Sequence, residues 1–103
     1  MNDLSQGDIV KIEGFEKSLF IILSKNAFIN ATGVFHVCPL IKGVPEGPLH
    51  IPVTGMVGTC GTVICEQIKL IDPSERAVSR LDRLNYADVM NISDAIQGVF
   101  EYD

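Results

Sequence analysis

His36 and His50 are the two side chains of this chain whose ordinary pKa suits proton transfer near neutral pH. His36 lies inside one apolar run and His50 alternates out of another. The two could therefore face one groove as an acid–base pair, although strand histidines more often play structural or exposed roles. Glu66 and Gln67 interrupt an otherwise apolar stretch. They could line a groove, or Gln67 could satisfy backbone groups where a sheet bends, because buried polar groups must be paired. Arg76, Arg80 and Arg83 form the densest basic cluster, but Asp72, Glu75 and Asp82 are interleaved. That pattern predicts surface ion pairing in preference to nucleic-acid binding. Cys38, Cys60 and Cys65 make an odd count with no Cys-x-x-Cys spacing and no paired histidines nearby. They read as buried small hydrophobes in a reduced cytoplasm, with no metal site.

Short strands must position these groups. Asp8–Ile12 reads as a first strand entered through Gly7. Leu19–Leu23 is continuously apolar, the pattern of a central strand buried on both faces. Gly14 supplies the turn between them. Asn26–Thr32 is a loop or short helical turn ahead of Gly33, and Val34–Cys38 is a third strand stopped by Pro39. After a turn-rich loop, Lys42–Pro48, the residues Leu49, Ile51 and Val53 alternate with His50 and Pro52. This is a half-buried strand, and Pro52 puts it near an edge. Gly55, Gly58 and Gly61 space out a flexible connection. The strand from Gly61 then breaks at Glu66-Gln67, resumes, and stops at Asp72-Pro73. A further strand covers Ala77–Leu81. Asn85 is a helix N-cap with Asp88 in capping-box position, and Val89, Ile92, Ala95, Ile96, Val99 and Phe100 recur at helical spacing. Many short strands followed by one helix predict a mainly β domain with a C-terminal α-helix, bent into a small SH3-like β-barrel.

At 103 residues the chain is a single domain, 1–103, and 47% hydrophobic content argues for a folded core. No apolar run is long enough to span a bilayer, and the first six residues carry no secretion signal. Net charge is −5, an awkward balance for holding RNA phosphates. Four of the acids, Asp88, Asp94, Glu101 and Asp103, sit at the C-terminal end, leaving 8 basic against 9 acidic residues elsewhere. A local positive groove remains open to the rest of the chain.

Gly7-Asp8-Ile9-Val10, the segment Ser24 to Gly33 with Asn30-Ala31-Thr32-Gly33, Val37-Cys38-Pro39, and Gly61 to Asp72 stand in an order and spacing that resemble the MazF/PemK/Kid toxins of the CcdB/PemK superfamily. The resemblance runs from Gly7 to the C-terminal helix. It implies a PemK-like barrel, a homodimer, an antitoxin protein as partner, and metal-independent, sequence-specific cleavage of single-stranded RNA in the cytoplasm, without a cofactor. Such nucleases use the substrate's own 2′-hydroxyl to attack the adjacent phosphate. The resemblance also shows what is missing. The family's catalytic Arg falls at Ser18, preceded by Lys17, and its Thr falls at Ile41, followed by Lys42. The longer loop that in the family covers RNA and receives the antitoxin is here the Gly14-Phe15-Glu16 turn.

Lys17 offers a point charge without the arginine fork, and Ile41 offers neither a hydrogen bond nor a proton. The expectation is weak or lost cleavage, with Lys17 and Ser18 as the catalytic candidates. Lys11, Lys17, Lys42 and Gln67 are the candidates for contact with RNA or a protein partner. The competing expectation is a non-catalytic binding module on the same fold, engaging an antitoxin-like protein, nucleic acid or a CcdB-type target.

Overall fold

The computed structural model describes residues 3–101. Nine elements follow one another: β1 (Asp8–Ile12), β2 (Leu19–Ile22), α1 (Asn26–Thr32), β3 (Phe35–Ile41), β4 (His50–Thr54), β5 (Cys60–Ile64), β6 (Lys69–Ile71), β7 (Val78–Arg83) and α2 (Tyr86–Val99). The strands form one antiparallel sheet in the order β4-β5-β3-β2-β1-β7, with β6 paired to β3. Alternation divides the strand side chains between two faces. Ile9, Ile21, Cys38, Leu40, Val53, Val63 and Leu84 form one core under α2, which inserts Ile92 with Val89, Ala95 and Ile96 against them. Val10, Ile12, Phe20, Ile22, Phe35, Val37 and Ile71 form the second core, closed by Ile29 of α1, Leu4, Phe15 and Val78.

Strand β3 runs through Pro39 instead of stopping there. The register explains why. Val37 pairs with Lys69, and Leu40 pairs with Val63, so three steps along β3 correspond to six on its neighbour. The residues between β5 and β6 loop away from the ladder opposite Cys38-Pro39, where Pro39 has no N–H to donate. The stretch from Gly61, expected to break at Glu66-Gln67 and resume, is accordingly two strands, with the turn where Glu66 and Gln67 lie.

The ladder itself is open, yet its ends meet. Met56 N–H donates to Arg83 O (2.9 Å). Asp82 of β7 accepts hydrogen bonds from Val57 N (3.0 Å), Thr59 N (3.0 Å) and Arg83 N (2.7 Å). The β4–β5 loop, expected to be a flexible glycine-spaced connection, is thus pinned across to the opposite edge strand. A Cβ added to Gly55 would collide with the Asp82 carboxylate.

Gly7 has φ +88°, and a Cβ there would come within 2.6 Å of Val89 Cγ2. Glycine lets the chain pass close under α2 while Gly7 bonds Ile22 O and Leu84 N. At the start of α2 the Asn85 side chain accepts Asp88 N–H (2.8 Å), the expected cap. The apolar stripe does not hold to its end, since Val99 and Phe100 are exposed.

Candidate functional site

The turn joining β1 to β2 is short and heavily tied. Phe15 N donates to Ile12 O (2.9 Å), and Ser18 N donates to Phe15 O (3.0 Å). Glu16 Oε2 accepts Gly14 N (3.1 Å), Glu13 Oε1 accepts Ala77 N (3.2 Å), and Arg76 Nη1 donates to Glu13 O (3.1 Å). The backbone N–H groups of Gly14 and Glu16, with Lys11 and Arg76 adding a little, hold the Glu16 carboxyl below its ordinary pKa. Two acids of the turn are therefore committed to the backbone.

Phe15 packs edge-on against Phe20, with ring centroids 6.0 Å apart. Two cations lie over it: Lys69 Nζ at 5.3 Å and Arg76 Cζ at 4.8 Å from the ring centroid. At such solvent-facing sites each contact contributes about 0.5–1 kcal/mol, enough to bias where a long cationic side chain rests. Lys11 and Lys17, both exposed, belong to the same end of the sheet. Sequence reasoning selected Lys11 and Lys17 but missed Lys69 and Arg76. The signal for them was only that Phe15 is an aromatic in an otherwise charged turn.

The register brings Ser18 and Ile41 together. Leu19 pairs with Leu40, so Ser18, one residue before β2, and Ile41, the last residue of β3, flank that pair. Ile41 is in turn the partner of Thr62. Leu19, Leu40 and Val63 pack toward α2, so alternation sends Ser18 and Ile41 to the other face. Ile41 is 39% exposed and Thr62 is buried, its hydroxyl donating to Val44 O (3.4 Å).

Lys42 goes elsewhere. It lines an open cavity of about 640 Å³ on the α2 side, with Thr54, Cys60, Thr62, Asn85 and Asp88 among its neighbours. Gln67 is exposed, and its backbone N–H closes the turn onto Ile64 O (3.2 Å). Its side chain makes no hydrogen bond among the described residues, so the backbone and not the amide secures the bend. Glu66 pairs with His50 (3.0 Å), and this contact holds its carboxyl below the ordinary value. His36 instead meets Ser24, Nδ1 to Oγ 3.0 Å, and its ring lies tilted against Phe28, with centroids 5.5 Å apart. The histidines thus have separate partners. Arg80 pairs with Asp8 (3.5 Å) and Asp3 (3.7 Å), so its partners come from the N-terminal segment and not from the interleaved Asp72, Glu75 and Asp82. Among the described residues no cluster of His, Cys, Asp or Glu is arranged to hold a metal ion.

Cys38 and Cys65 are buried, but Cys60 is exposed at the start of β5, contrary to the expectation of three buried thiols. Burial pushes the Cys38 thiol up to about 12, with Cys65 and Glu66 adding to it. Burial and Glu66 lift Cys65 to about 11. Reaction of native thiols should therefore be confined to the exposed Cys60. Titration with a disulfide reagent is expected to count one thiol in the native protein and three after denaturation. Two or more in the native state would contradict the packing of β3 against the β5–β6 turn.

A family model for the PemK-like, MazF-like toxin of type II toxin–antitoxin systems matches residues 5–100. The chain belongs to the PemK/MazF toxin family. Solved structures carry the same fold at low identity. A MazE–MazF crystal structure from Deinococcus radiodurans superposes with a TM-score of 0.83 at 16% identity, covering 100% of both chains. An endoribonuclease from a mycobacterial species gives 0.76 at 20% identity, covering 95% of this chain and 91% of that one. A mycobacterial endoribonuclease in complex with its cognate antitoxin gives 0.78 at 17%, covering 97% and 99%. No curated protein sequence matches the chain significantly. The chain thus carries the PemK/MazF fold. No helix among the described residues is long and apolar enough to cross a membrane.

Proposed function

We propose that this PemK/MazF-family toxin engages single-stranded RNA on the face carrying Ser18 and Ile41, cleaves it weakly without metal or cofactor, and is restrained by an antitoxin protein. It would act in the cytoplasm as a homodimer. The observation that supports the reading is the β2–β3 register, which sets Ser18 and Ile41 on either side of the Leu19–Leu40 pair, at the end of the sheet where Lys69 and Arg76 lie over Phe15. That surround supplies attraction for phosphates.

The reacting position is poorly equipped. Attack of a 2′-hydroxyl on the adjacent phosphate needs charge stabilised on the phosphoryl oxygens and protons moved at both ends. Ser18 can offer one hydroxyl and Lys17 one ammonium, whereas Ile41 offers nothing to a proton or an anion. One lost transition-state donor costs ~10²–10³ in rate, so affinity should survive better than turnover. A second reading is a binding module that captures protein or nucleic acid without cutting. The exposed apolar side chain of Ile41 at the centre of the site favours it.

Metal-free incubation with a long single-stranded RNA at low salt, beside a Lys17→Ala variant, separates the two. Slow, discrete cuts ending in 2′,3′-cyclic phosphate and reduced at least about tenfold in the variant are the expected result. RNA left intact at high protein concentration would retire the nuclease and leave the binding module.

A further inference from the structure

At the other end of the β1–β2 ladder a cavity of about 330 Å³ is lined by Ser5, Gln6, Asp8, Asn26, Arg83, Leu84, Tyr86 and Val89. Its polar groups are oriented by the fold. Asp8, almost wholly buried, turns Oδ1 toward Arg83 Nε (3.8 Å). The Arg83 side chain stays 56% exposed, and its two terminal nitrogens have no protein partner among the described residues. Gln6 Nε2 donates to Leu23 O (2.8 Å), and Gln6 N donates to Asn26 Oδ1 (2.8 Å). Those bonds leave Gln6 Oε1 as a free acceptor and Asn26 Nδ2 as a free donor. Tyr86, 76% exposed, stands at the rim, and Leu84 and Val89 give an apolar floor.

We propose that this cavity binds one nucleotide unit: a base against Tyr86, its edge on the Gln6 and Asn26 amides, and one phosphate on the Arg83 fork. Each component follows from group chemistry. An exposed ring stacks any base, and the planar guanidinium suits phosphate oxygens. Every nucleobase presents an acceptor beside a donor, so the amide pair holds a base with little preference among the four. The charge balance sets the number of phosphates. Arg83 is the cation of the lining and Asp8 beside it offsets part of its charge, so one phosphate finds a partner and two more find none. The unit could belong to a free mononucleotide or to a strand of RNA. The strand case rests on the RNA reading above; the free-nucleotide case does not.

Amide NMR titrations of the full chain with AMP, UMP, adenosine, ATP and a 2′-O-methyl 12-mer distinguish the sources. AMP and UMP are expected to move Gln6, Asn26, Arg83 and Tyr86 with Kd of about 0.1–1 mM, adenosine more weakly and ATP no more tightly. A shift confined to the 12-mer would assign the site to an RNA strand. Arg83→Gln should weaken binding about tenfold and abolish the advantage of AMP over adenosine. Tyr86→Ala should weaken all ligands by about tenfold. Both side chains are largely exposed, and Arg83→Lys, which keeps the charge and loses the fork, guards against a folding defect. Lys17→Ala should leave AMP binding unchanged, which separates this cavity from the Ser18 face. No shifts at these residues with any ligand, or equal affinities in Arg83→Gln and Tyr86→Ala, would overturn the proposal.

Discussion

The double substitution Ser18→Arg/Ile41→Thr is expected to raise metal-free RNA cleavage by ~10²–10³-fold over the native chain. The ladder that pairs Leu19 with Leu40 puts the two positions side by side, so the new groups would act on one phosphate. The guanidinium adds a fork that stays charged, and the hydroxyl adds a group that can donate or accept a proton. Groups that work as a unit are strongly non-additive, so each single substitution should recover far less than the pair. The fold should accept both. Ile41 is already 39% exposed, and the bond that fixes Ser18 to Phe15 O comes from the backbone. The measurement is kcat/KM on a labelled single-stranded RNA in chelator, with RNA affinity followed in parallel. A double variant that binds RNA like the native chain and cuts no faster would show that substitution at these positions is not what limits catalysis.

Asp82→Ala is expected to be the most disruptive single substitution away from the two cores. It removes the acceptor for three backbone N–H groups at once and frees the β4–β5 loop from β7. A fall in Tm on the order of 10 °C is expected, with new protease cleavage near Val57. Asp82→Asn should fall between, because one of its two side-chain atoms becomes a donor facing donors. The pH dependence carries the same signature. Burial raises the Asp82 pKa, but the N–H groups of Val57, Arg83 and Thr59 outweigh it and set the carboxyl at about 2, against an ordinary 3.8. A depressed folded-state pKa means that its stabilisation is complete above the unfolded value. That stabilisation is then lost as pH falls from about 4 toward 2. Thermal melts at pH 7, 4 and 2 should show the native–variant gap narrowing over that interval. A gap that stays constant, or a loop that resists protease in Asp82→Ala, would refute this role.

Much of the scaffold was legible because it follows from local pattern. Asp8–Ile12 and Leu19–Ile22 declare themselves by apolar runs, and Asn85 announces α2 by a cap that the structure contains. Pro39 misled because its missing N–H normally ends a strand, whereas here it faces the place where the neighbouring strand loops away. The glycines at 55 and 58 suggested looseness, since nothing local reveals that a carboxylate some 25 residues on will hold the loop. The site divides in the same way. Ser18 and Ile41 were found by resemblance. Lys69 and Arg76 reach Phe15 from distant segments, and only the folded chain brings them together.

The order of the strands also has a consequence for the time course of synthesis. β1 is made first, yet one of its two edges is completed only by β7, with Asp8 opposite Arg83. The core under the Ser18 end also waits for Ile92 of α2. Such non-local pairing places folding among slow, high-contact-order topologies, on the order of milliseconds to seconds. A ribosome that has already released Ser18 and Ile41 from its tunnel still carries an unfinished sheet. The face carrying Ser18 and Ile41 therefore assembles late, only once β7 and α2 have been made.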